Sequence, residues 1–343
     1  MKKNISEFRR DIISGEWILI APGRAKRPEE FKKKGMSRKR TPITKCPFEH
    51  PFENVNDTII LEYSKKGTQV PSGEERKGND WSMLVLQNKY PAVRHALRKP
   101  SVERKRFFET VEGAGHHDLL ITKDHDKNFP ALSKTRAFNV LQAFRDRYLM
   151  FFGGKETAYV SMFQNWGPKA GASVFHPHYQ MMAIPVVPPD VQRSLEGSRR
   201  YFRARGKCPH CDMIRWERKQ KKRILFETEY AIALTPFVSR DAFEIRIFPK
   251  RHRPYFENTP DAELADMAGA LQEALQRTKG NLGDPDYNFF IHTAPIEHKE
   301  RHKHYHWHIE IYPIFNVHAG FEMETGLIIN PVDPDVAAKT LRR

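Results

Sequence analysis

The chain has little cysteine and no long apolar run. Only three of its 343 residues are cysteines, and two of these, Cys208 and Cys211, form a C-x-x-C pair. So few thiols cannot build a disulfide framework, and the pair is typical of reduced, metal-binding cysteines. No apolar stretch reaches the roughly 18 residues that a membrane-spanning helix needs, and the basic N-terminus lacks the apolar core of a secretory signal. We therefore expect a cytoplasmic protein that does not contact a membrane.

Positive charge is in excess, although the overall composition is that of a soluble globular protein. The formal net charge is +16, with 39% hydrophobic and 29% charged residues. Such a charge favours anionic partners, either nucleic acid or small phosphorylated substrates. Much of it lies in residues 24–45, which we interpret as a solvated loop. Nucleic-acid binding would predict aromatic residues among these basic ones, but residues 29–45 contain only Phe31, so this partner is disfavoured.

One pattern of cysteine, histidine and carboxylate residues occurs twice. Each copy begins with a cysteine-containing pair, continues with a lone histidine, and closes with a His-x-His-x-Gln or His-x-His-x-Glu triplet. The lone histidine precedes the triplet by 51 residues in the first copy and by 54 in the second. We infer a duplicated scaffold in which one copy is specialised. The two sets are, in chain order, Cys46, Glu49, His125, His176, His178 and Gln180, and Cys208, Cys211, His252, His306, His308 and Glu310.

The same order of helix and strand signals surrounds each lone histidine. A strand precedes the histidine, an amphipathic helix follows it, and two further strands lead to and carry the triplet. This order predicts an α+β fold with two similar halves, each a mostly antiparallel sheet with helices packed on one face. We divide the chain into residues 1–187 and 188–343, with the proline-rich and then charged stretch from Pro185 to Arg205 as the linker.

The first triplet lies in a strand-like segment, residues 173–187. Side chains repeat every two residues along a strand, so His176, His178 and Gln180 share one face. Pro177 cannot donate a ladder hydrogen bond, which predicts an edge strand or a locally broken one, open to a ligand. Five other histidines stand among charged residues and are predicted to be solvated in loops: His116, His117, His298, His302 and His304.

Short motifs around this segment carry a family resemblance. Phe163-Gln-Asn165, Gly171-Ala-Ser173 and His176-Pro-His-Tyr-Gln180 resemble the active-site segment of galactose-1-phosphate uridylyltransferases, which are nucleotidyl transferases of the histidine triad superfamily. The resemblance implies histidine-triad-like halves, a homodimer, and a nucleotide sugar and a sugar 1-phosphate as substrates. It runs nearly end to end and also covers the segments 9–28, 88–91 and 319–332.

The resemblance further implies a two-step transfer through a covalent intermediate. A neutral His178 attacks the α-phosphorus of the nucleotide sugar and forms a nucleotidyl-histidine, which a second phosphate then attacks. Gln180 can donate a hydrogen bond to the phosphoryl oxygens but cannot shuttle a proton for water, which favours transfer over hydrolysis. The residues that the resemblance assigns to substrate binding are Arg24, Arg27, Asn88, Asn165, Gly171 and Ser173.

The second copy predicts a zinc site. Cys208 and Cys211 supply a chelating pair, and His252 with one histidine of the second triplet would complete a tetrahedral Cys-Cys-His-His set. The alignment of the two copies favours His306 over His308. The gap between the cysteines and His252 is too wide for a zinc finger.

The first copy departs from the family's usual Cys-Pro-x-Cys opening, because Glu49 stands in place of the second cysteine. A carboxylate can also ligate zinc, and a mixed site accepts iron more readily. The site is therefore predicted to hold zinc or iron or to be empty, with His50 as an alternative ligand. Its metal would be structural and would pin the strand that carries the nucleophile. The predicted set is Cys46, Glu49, His125 and His176.

Two reactions fit the resemblance. The first is UDP-glucose–hexose-1-phosphate uridylyl transfer, a reaction of galactose metabolism. The alternative is an ADP-glucose phosphorylase or a related adenylyltransferase, because Ala319–Asn330 lacks the glutamine that bacterial galactose enzymes often place there, and because Asn88-Lys89 replaces an Asn-Asp pair of some members. A zinc-stabilised nucleic-acid-binding protein is the remote alternative.

Overall fold

The computed structural model describes residues 5–24, 38–52, 58–70, 80–95, 99–152, 154, 157–315 and 317–343. Up to residue 187 its strands and helices are β1 (Glu7–Arg10), β2 (Trp17–Ile20), β3 (Ile59–Ser64), β4 (Trp81–Gln87), β5 (Val102–Lys105), β6 (Phe108–Val111), β7 (His116–Thr122), α1 (Lys134–Leu149), β8 (Tyr159–Trp166) and β9 (His178–Ile184). After residue 187 they are α2 (Pro189–Arg205), α3 (Pro209–Gln220), β10 (Ile224–Glu227), β11 (Ala231–Leu234), β12 (Ile245–Pro249), α4 (Asp261–Leu282), β13 (Tyr287–His292), β14 (His308–Pro313), α5 (Gly320–Thr325), β15 (Ile328–Asn330) and α6 (Pro334–Leu341). Among the described helices, none combines the length and the apolar character needed to cross a bilayer.

Ten strands form one antiparallel sheet, in the order β10-β11-β12-β14-β13-β8-β9-β7-β4-β3. Five come from each half of the chain, and the halves meet along β8 and β13, where Trp166 pairs with Tyr287 and Met162 with Ile291. The strand order outward from this seam is the same on both sides: β8-β9-β7-β4-β3 corresponds to β13-β14-β12-β11-β10. The predicted α+β fold with two similar halves is confirmed.

The long helices α1 and α4 pack against each other and against the sheet. Their apolar residues recur at the three- and four-residue spacing of a helix face that turns towards a core. Together with sheet residues from both halves they form a single large hydrophobic cluster. Fully buried members from the two helices include Val140, Leu141, Phe144, Leu264, Met267 and Leu271.

The edge position predicted for the first triplet is wrong. β9 is an interior strand that pairs with β7 on one side and with β8 on the other. It begins at His178, directly after Pro177, so the proline removes no ladder hydrogen bond. His176 precedes the strand, so the row of side chains is interrupted at the proline, as the alternative prediction had it.

The predicted linker is largely helical. Most of the stretch from Pro185 to Arg205 is helix α2, which begins at Pro189. Proline at the first position of a helix costs no hydrogen bond and has a suitable φ, so a proline-rich segment can begin a helix. The division of the chain at residue 187 stays a prediction. Near the ends of the chain, β2 pairs in parallel with β15 in the small sheet β1-β2-β15.

Candidate active site and metal centres

His178 is held in one tautomer at the start of β9. Its Nδ1 lies 2.9 Å from the carbonyl oxygen of His176, which can only accept, so Nδ1 carries the proton. Burial lowers the pKa of the His178 imidazole, which favours the neutral ring. The Phe48 ring packs against it with the centroids 5.3 Å apart. Nε2 is therefore left with a lone pair, as a nucleophile requires.

Gln180 lies two residues further along β9 and is half-buried. Its Oε1 is 3.0 Å from Nε2 of His117, which belongs to the neighbouring strand β7. The prediction that His116 and His117 are solvated in loops is wrong, since both lie in β7 and His116 is buried. The continuous apolar run that follows, Leu119–Ile121, was the available signal for a buried strand here.

Asn165, Gly171 and Ser173 lie on and just after β8. Asn165 Oδ1 accepts a hydrogen bond of 2.8 Å from Asn288 Nδ2, which orients the Asn165 amide. Gly171 has a φ of +90°, a conformation that favours glycine, and a Cβ there would lie 3.6 Å from the Asn165 amide nitrogen. Ser173 is exposed at a cavity of about 510 Å³. The basic and aromatic residues that line this cavity are Arg38, Lys39, Arg40, Lys45, Trp166 and Phe175.

The remaining predicted substrate contacts are less closely grouped. Asn88 follows β4, and its Nδ2 is 3.2 Å from Nε2 of His117, so it belongs with Gln180. Arg24 is exposed at the end of the short turn Pro22–Arg24, and no contact among the described residues joins it to His178. Arg27 lies outside the described residues.

The structure brings the predicted first metal set together. One possible ligand atom from each of Cys46, Glu49, His125 and His176 lies within 4.8 Å of the others. Both histidines turn Nδ1 inward, because their Nε2–H groups donate to main-chain carbonyls: His125 to Thr41 at 2.9 Å and His176 to Thr122 at 2.6 Å. Such outer hydrogen bonds are typical of metal-ligating histidines. The group contains Glu49, not the alternative His50.

The second set has the same construction. Cys208, Cys211, His252 and His306 meet the same 4.8 Å criterion. Cys211 Sγ lies 3.5 Å from Nδ1 of both His252 and His306. The Nε2 atoms of the two histidines face the carbonyls of Lys303 at 2.7 Å and Pro249 at 3.0 Å. A hydrogen bond from Cys208 lowers the pKa of the Cys211 thiol, which favours the thiolate that a metal ion binds.

The second triplet differs from the first in the two residues that follow its metal-type histidine, His308 and Glu310. Both ring nitrogens of His308 face oxygen acceptors: Nδ1 is 3.1 Å from the His306 carbonyl, and Nε2 is 3.1 Å from Oε1 of Glu310. Burial opposes ionisation of Glu310, but Arg246, 2.9 Å away, and the neighbouring histidines hold its pKa well below the ordinary value. His292, His308 and Glu310 form a third group with metal-type atoms in proximity. Sequence reasoning missed both His292 and Arg246.

Comparisons with known proteins identify relatives of this chain. The family model described as "Domain of unknown function (DUF4921)" matches residues 73–342. An ADP-glucose phosphorylase of Arabidopsis thaliana is 34% identical over 98% of this chain and 92% of its own length. A galactose-1-phosphate uridylyltransferase of Thermotoga maritima is 24% identical over 98% of each chain. The solved Arabidopsis thaliana ADP-glucose phosphorylase with bound ADP-glucose has a TM-score of 0.80 and 30% identity, and the match covers 99% of both chains.

The matches span almost the whole length of the chain and of its relatives, and these relatives are nucleotidyl-transferring enzymes and phosphorylases. The family resemblance predicted from the sequence is confirmed. The chain belongs to the DUF4921 family and, with these relatives, to the galactose-1-phosphate uridylyltransferase family of enzymes.

Proposed function

We propose that this protein transfers a nucleoside monophosphate from a nucleotide sugar to a phosphate-bearing acceptor through a nucleotidyl-His178 intermediate. The observation that carries the proposal is the orientation of His178, whose Nδ1–H is engaged by the His176 carbonyl so that Nε2 has a lone pair. Nε2 attacks the α-phosphorus, the bond from that phosphorus to the bridging oxygen breaks, and the sugar 1-phosphate leaves with the electron pair. The acceptor phosphate then displaces the imidazole and restores it.

Two groups stabilise this intermediate. The Nδ1–H of His178, which donates to a carbonyl oxygen, supports the positive charge that the ring gains when Nε2 becomes esterified. The Gln180 amide can donate to a non-bridging phosphoryl oxygen, but it cannot accept a proton from water. A site without a general base for water favours a phosphate acceptor over hydrolysis. Asn165, Gly171 and Ser173 are the proposed contacts to the transferred phosphate, and Arg24 and Arg27 the proposed contacts to a phosphate of the sugar substrate. Asn88 is the proposed contact to the nucleoside.

Two nucleotides are candidates. Phosphorolysis of ADP-glucose is supported by the greater identity to the ADP-glucose phosphorylase, 34% against 24% for the Thermotoga maritima uridylyltransferase. UMP exchange between UDP-glucose and a hexose 1-phosphate is the reaction first expected from the sequence motifs. The nucleophile and the phosphate contacts would serve both, because both reactions break the same kind of bond.

We further propose zinc at the second metal set, where the Cys-Cys-His-His donors suit this ion. The first set, with one thiol and one carboxylate, suits zinc or iron. Because His176 both belongs to the first set and accepts the hydrogen bond from His178, a metal ion there would hold the nucleophile in place. A homodimer, two histidine-triad-like domains divided at residue 187, and a cytoplasmic location complete the proposal.

The test uses UDP-glucose and ADP-glucose, each labelled at the α-phosphate, with the wild type and His178→Gln. We expect one nucleotide to give an adduct with the mass of its nucleoside monophosphate, mapped to His178 and missing from the variant. Adding inorganic phosphate or a hexose 1-phosphate then identifies the acceptor by which of them discharges the label. An adduct on another residue, or none with either nucleotide, contradicts the proposal.

A further inference from the structure

We propose that His117 is a positioning residue that orients the Gln180 amide so that its NH₂ group, rather than its oxygen, is presented to the phosphoryl group. The inference rests on the proposed function, in which Gln180 donates to that phosphoryl group. It concerns a histidine that is half-buried in β7 and contributes to none of the metal-type groups among the described residues.

The tautomer of His117 follows from one main-chain contact. The N–H of Ala92 lies 3.1 Å from Nδ1 of His117. A main-chain N–H can only donate, so Nδ1 must accept. A neutral imidazole has one proton, which is then on Nε2. The ring thus offers one donor, Nε2–H, on the side away from Ala92.

That donor decides the orientation of Gln180. Oε1 of Gln180 lies 3.0 Å from His117 Nε2 and accepts a hydrogen bond from it. If the amide were reversed, its NH₂ group would face the Nε2–H, and two donors would oppose each other. With the oxygen occupied, the NH₂ group is the free end of the side chain, and within the described part of the chain no hydrogen bond engages it. Gln180 follows His178 by two residues in β9, so both lie on one face of the strand.

A second amide nitrogen approaches the same ring nitrogen, and in this tautomer it cannot donate to it. Nδ2 of Asn88 is 3.2 Å from His117 Nε2, while Oδ1 of Asn88 accepts from the N–H of Tyr90 at 2.9 Å. Were Nε2 to accept from Asn88 while Nδ1 accepts from Ala92, the ring would have no proton at all. With Nδ1 accepting from Ala92 and the proton on Nε2, the Asn88 amide nitrogen lies near Nε2 without a hydrogen bond to it.

His117 thus connects two parts of the proposed site. Asn88 and Ala92 belong to or adjoin segment 88–91, one of the segments that the family resemblance covers, whereas Gln180 lies beside the nucleophile. Loss of His117 leaves the Gln180 amide able to turn its oxygen towards the phosphoryl oxygens, where it would repel them. Removing a donor to a developing oxyanion costs about 10²–10³ in kcat. For a donor that is misoriented but still present, we expect a fall of about tenfold.

The experiment compares His117→Leu, His117→Gln, Gln180→Ala and the double variant His117→Leu/Gln180→Ala in single-turnover formation of the nucleotidyl adduct. Glutamine at position 117 can both accept from Ala92 and donate to Gln180. We expect His117→Leu to lose about tenfold in the rate constant of adduct formation, with the nucleotide concentration for half-saturation changed about twofold or less. His117→Gln should recover most of this loss. In the double variant, the leucine should add nothing to the loss caused by Gln180→Ala.

His302→Leu, a similar change at a partly exposed histidine in the other half, controls for the effect of replacing histidine itself. Long-range ¹H–¹⁵N spectra of the wild type, with His117→Leu to assign the ring, should show His117 with its proton on Nε2. A proton on Nδ1, or losses that multiply in the double variant, would overturn the role of His117 while the adduct on wild-type His178 still supports the proposed function. Absence of any adduct on the wild type would overturn both.

Discussion

The two triplets of this chain begin alike and end differently. In both, the first histidine belongs to a metal-type group. Its carbonyl oxygen accepts a hydrogen bond from Nδ1 of the second histidine, at 2.9 Å in the first triplet and 3.1 Å in the second. The third residue separates them. Gln180 is neutral and half-buried, whereas Glu310 is buried and forms an ion pair with Arg246.

This difference shows how one scaffold can serve chemistry in one copy and structure in the other. An amide beside the second histidine leaves Nε2 of His178 unoccupied by a charged partner. The carboxylate of Glu310 in the same place lies within hydrogen-bonding distance of Nε2 of His308. Arg246 contacts both Glu310 and a second carboxylate, Glu244. The second triplet is thus part of a buried network of charges, and we infer that the first copy is the specialised one.

The sharpest test of this comparison replaces the second histidine of each triplet with glutamine. His178→Gln removes the nucleophilic nitrogen, and we expect transfer to fall by about 10⁴-fold or more. His308→Gln should leave adduct formation within about twofold, while the loss of a buried hydrogen-bond partner lowers the free energy of unfolding by about 1–3 kcal/mol. Labelled-adduct assays and thermal unfolding measure the two effects. Equal loss of transfer in both variants would show that the copies do not differ as proposed.

Arg246→Met should produce the largest loss of stability in the second copy. The guanidinium is buried between Glu244, at 2.8 Å, and Glu310, at 2.9 Å, so its removal leaves two buried carboxylates without their cation. Breaking such a pair on one side costs about 3–5 kcal/mol. Arg218→Met, at an exposed pair with Glu227, is the matched control, with an expected cost of about 0–1 kcal/mol. Urea unfolding that gave the same midpoint for both variants would contradict a stabilising network.

The third residue itself can be exchanged. Gln180→His places a possible general base beside the intermediate, and we expect water-driven loss of the nucleotidyl group to rise about 100-fold. The matched change in the other copy, Glu310→Gln, gives the second triplet the sequence pattern of the first. It should yield no adduct on His308, because the surrounding residues are not those of the first copy. An unchanged lifetime of the His178 adduct in Gln180→His would refute the explanation given for the glutamine.

The residues that repeat along the chain could be predicted, whereas their partners from other strands could not. The repeated spacing predicted the members of both metal-type sets and of both triplets, because corresponding residues lie at matching positions of a duplicated fold. His117 was interpreted as a loop residue, since its role depends on strand pairing between β7 and β9 that no local pattern encodes. Arg246 was missed for the same reason: its partner Glu310 is 64 positions away along the chain. The interior position of β9 likewise depends on which strands pair.

The smallest expected difference between the copies concerns their metal sets. Of the four corresponding positions in the two sets, only one differs in residue type: Glu49 in the first set stands where the second set has Cys211. Thiolates suit zinc better than a carboxylate does, so Glu49→Cys should tighten zinc binding at the first set about tenfold and reduce its acceptance of iron.

Cys211→Glu is the reciprocal change and should weaken the second set by a similar factor. Competition with a chelator, followed by metal analysis of the protein, gives the order in which the two sets lose zinc. We expect the first set to release it earlier in the wild type and the second set to do so in the double exchange. The same order in both proteins would contradict this prediction. Retention of zinc would then depend less on whether the variable ligand is a carboxylate or a thiolate than on the carbonyl contacts of the histidines, which the two copies share.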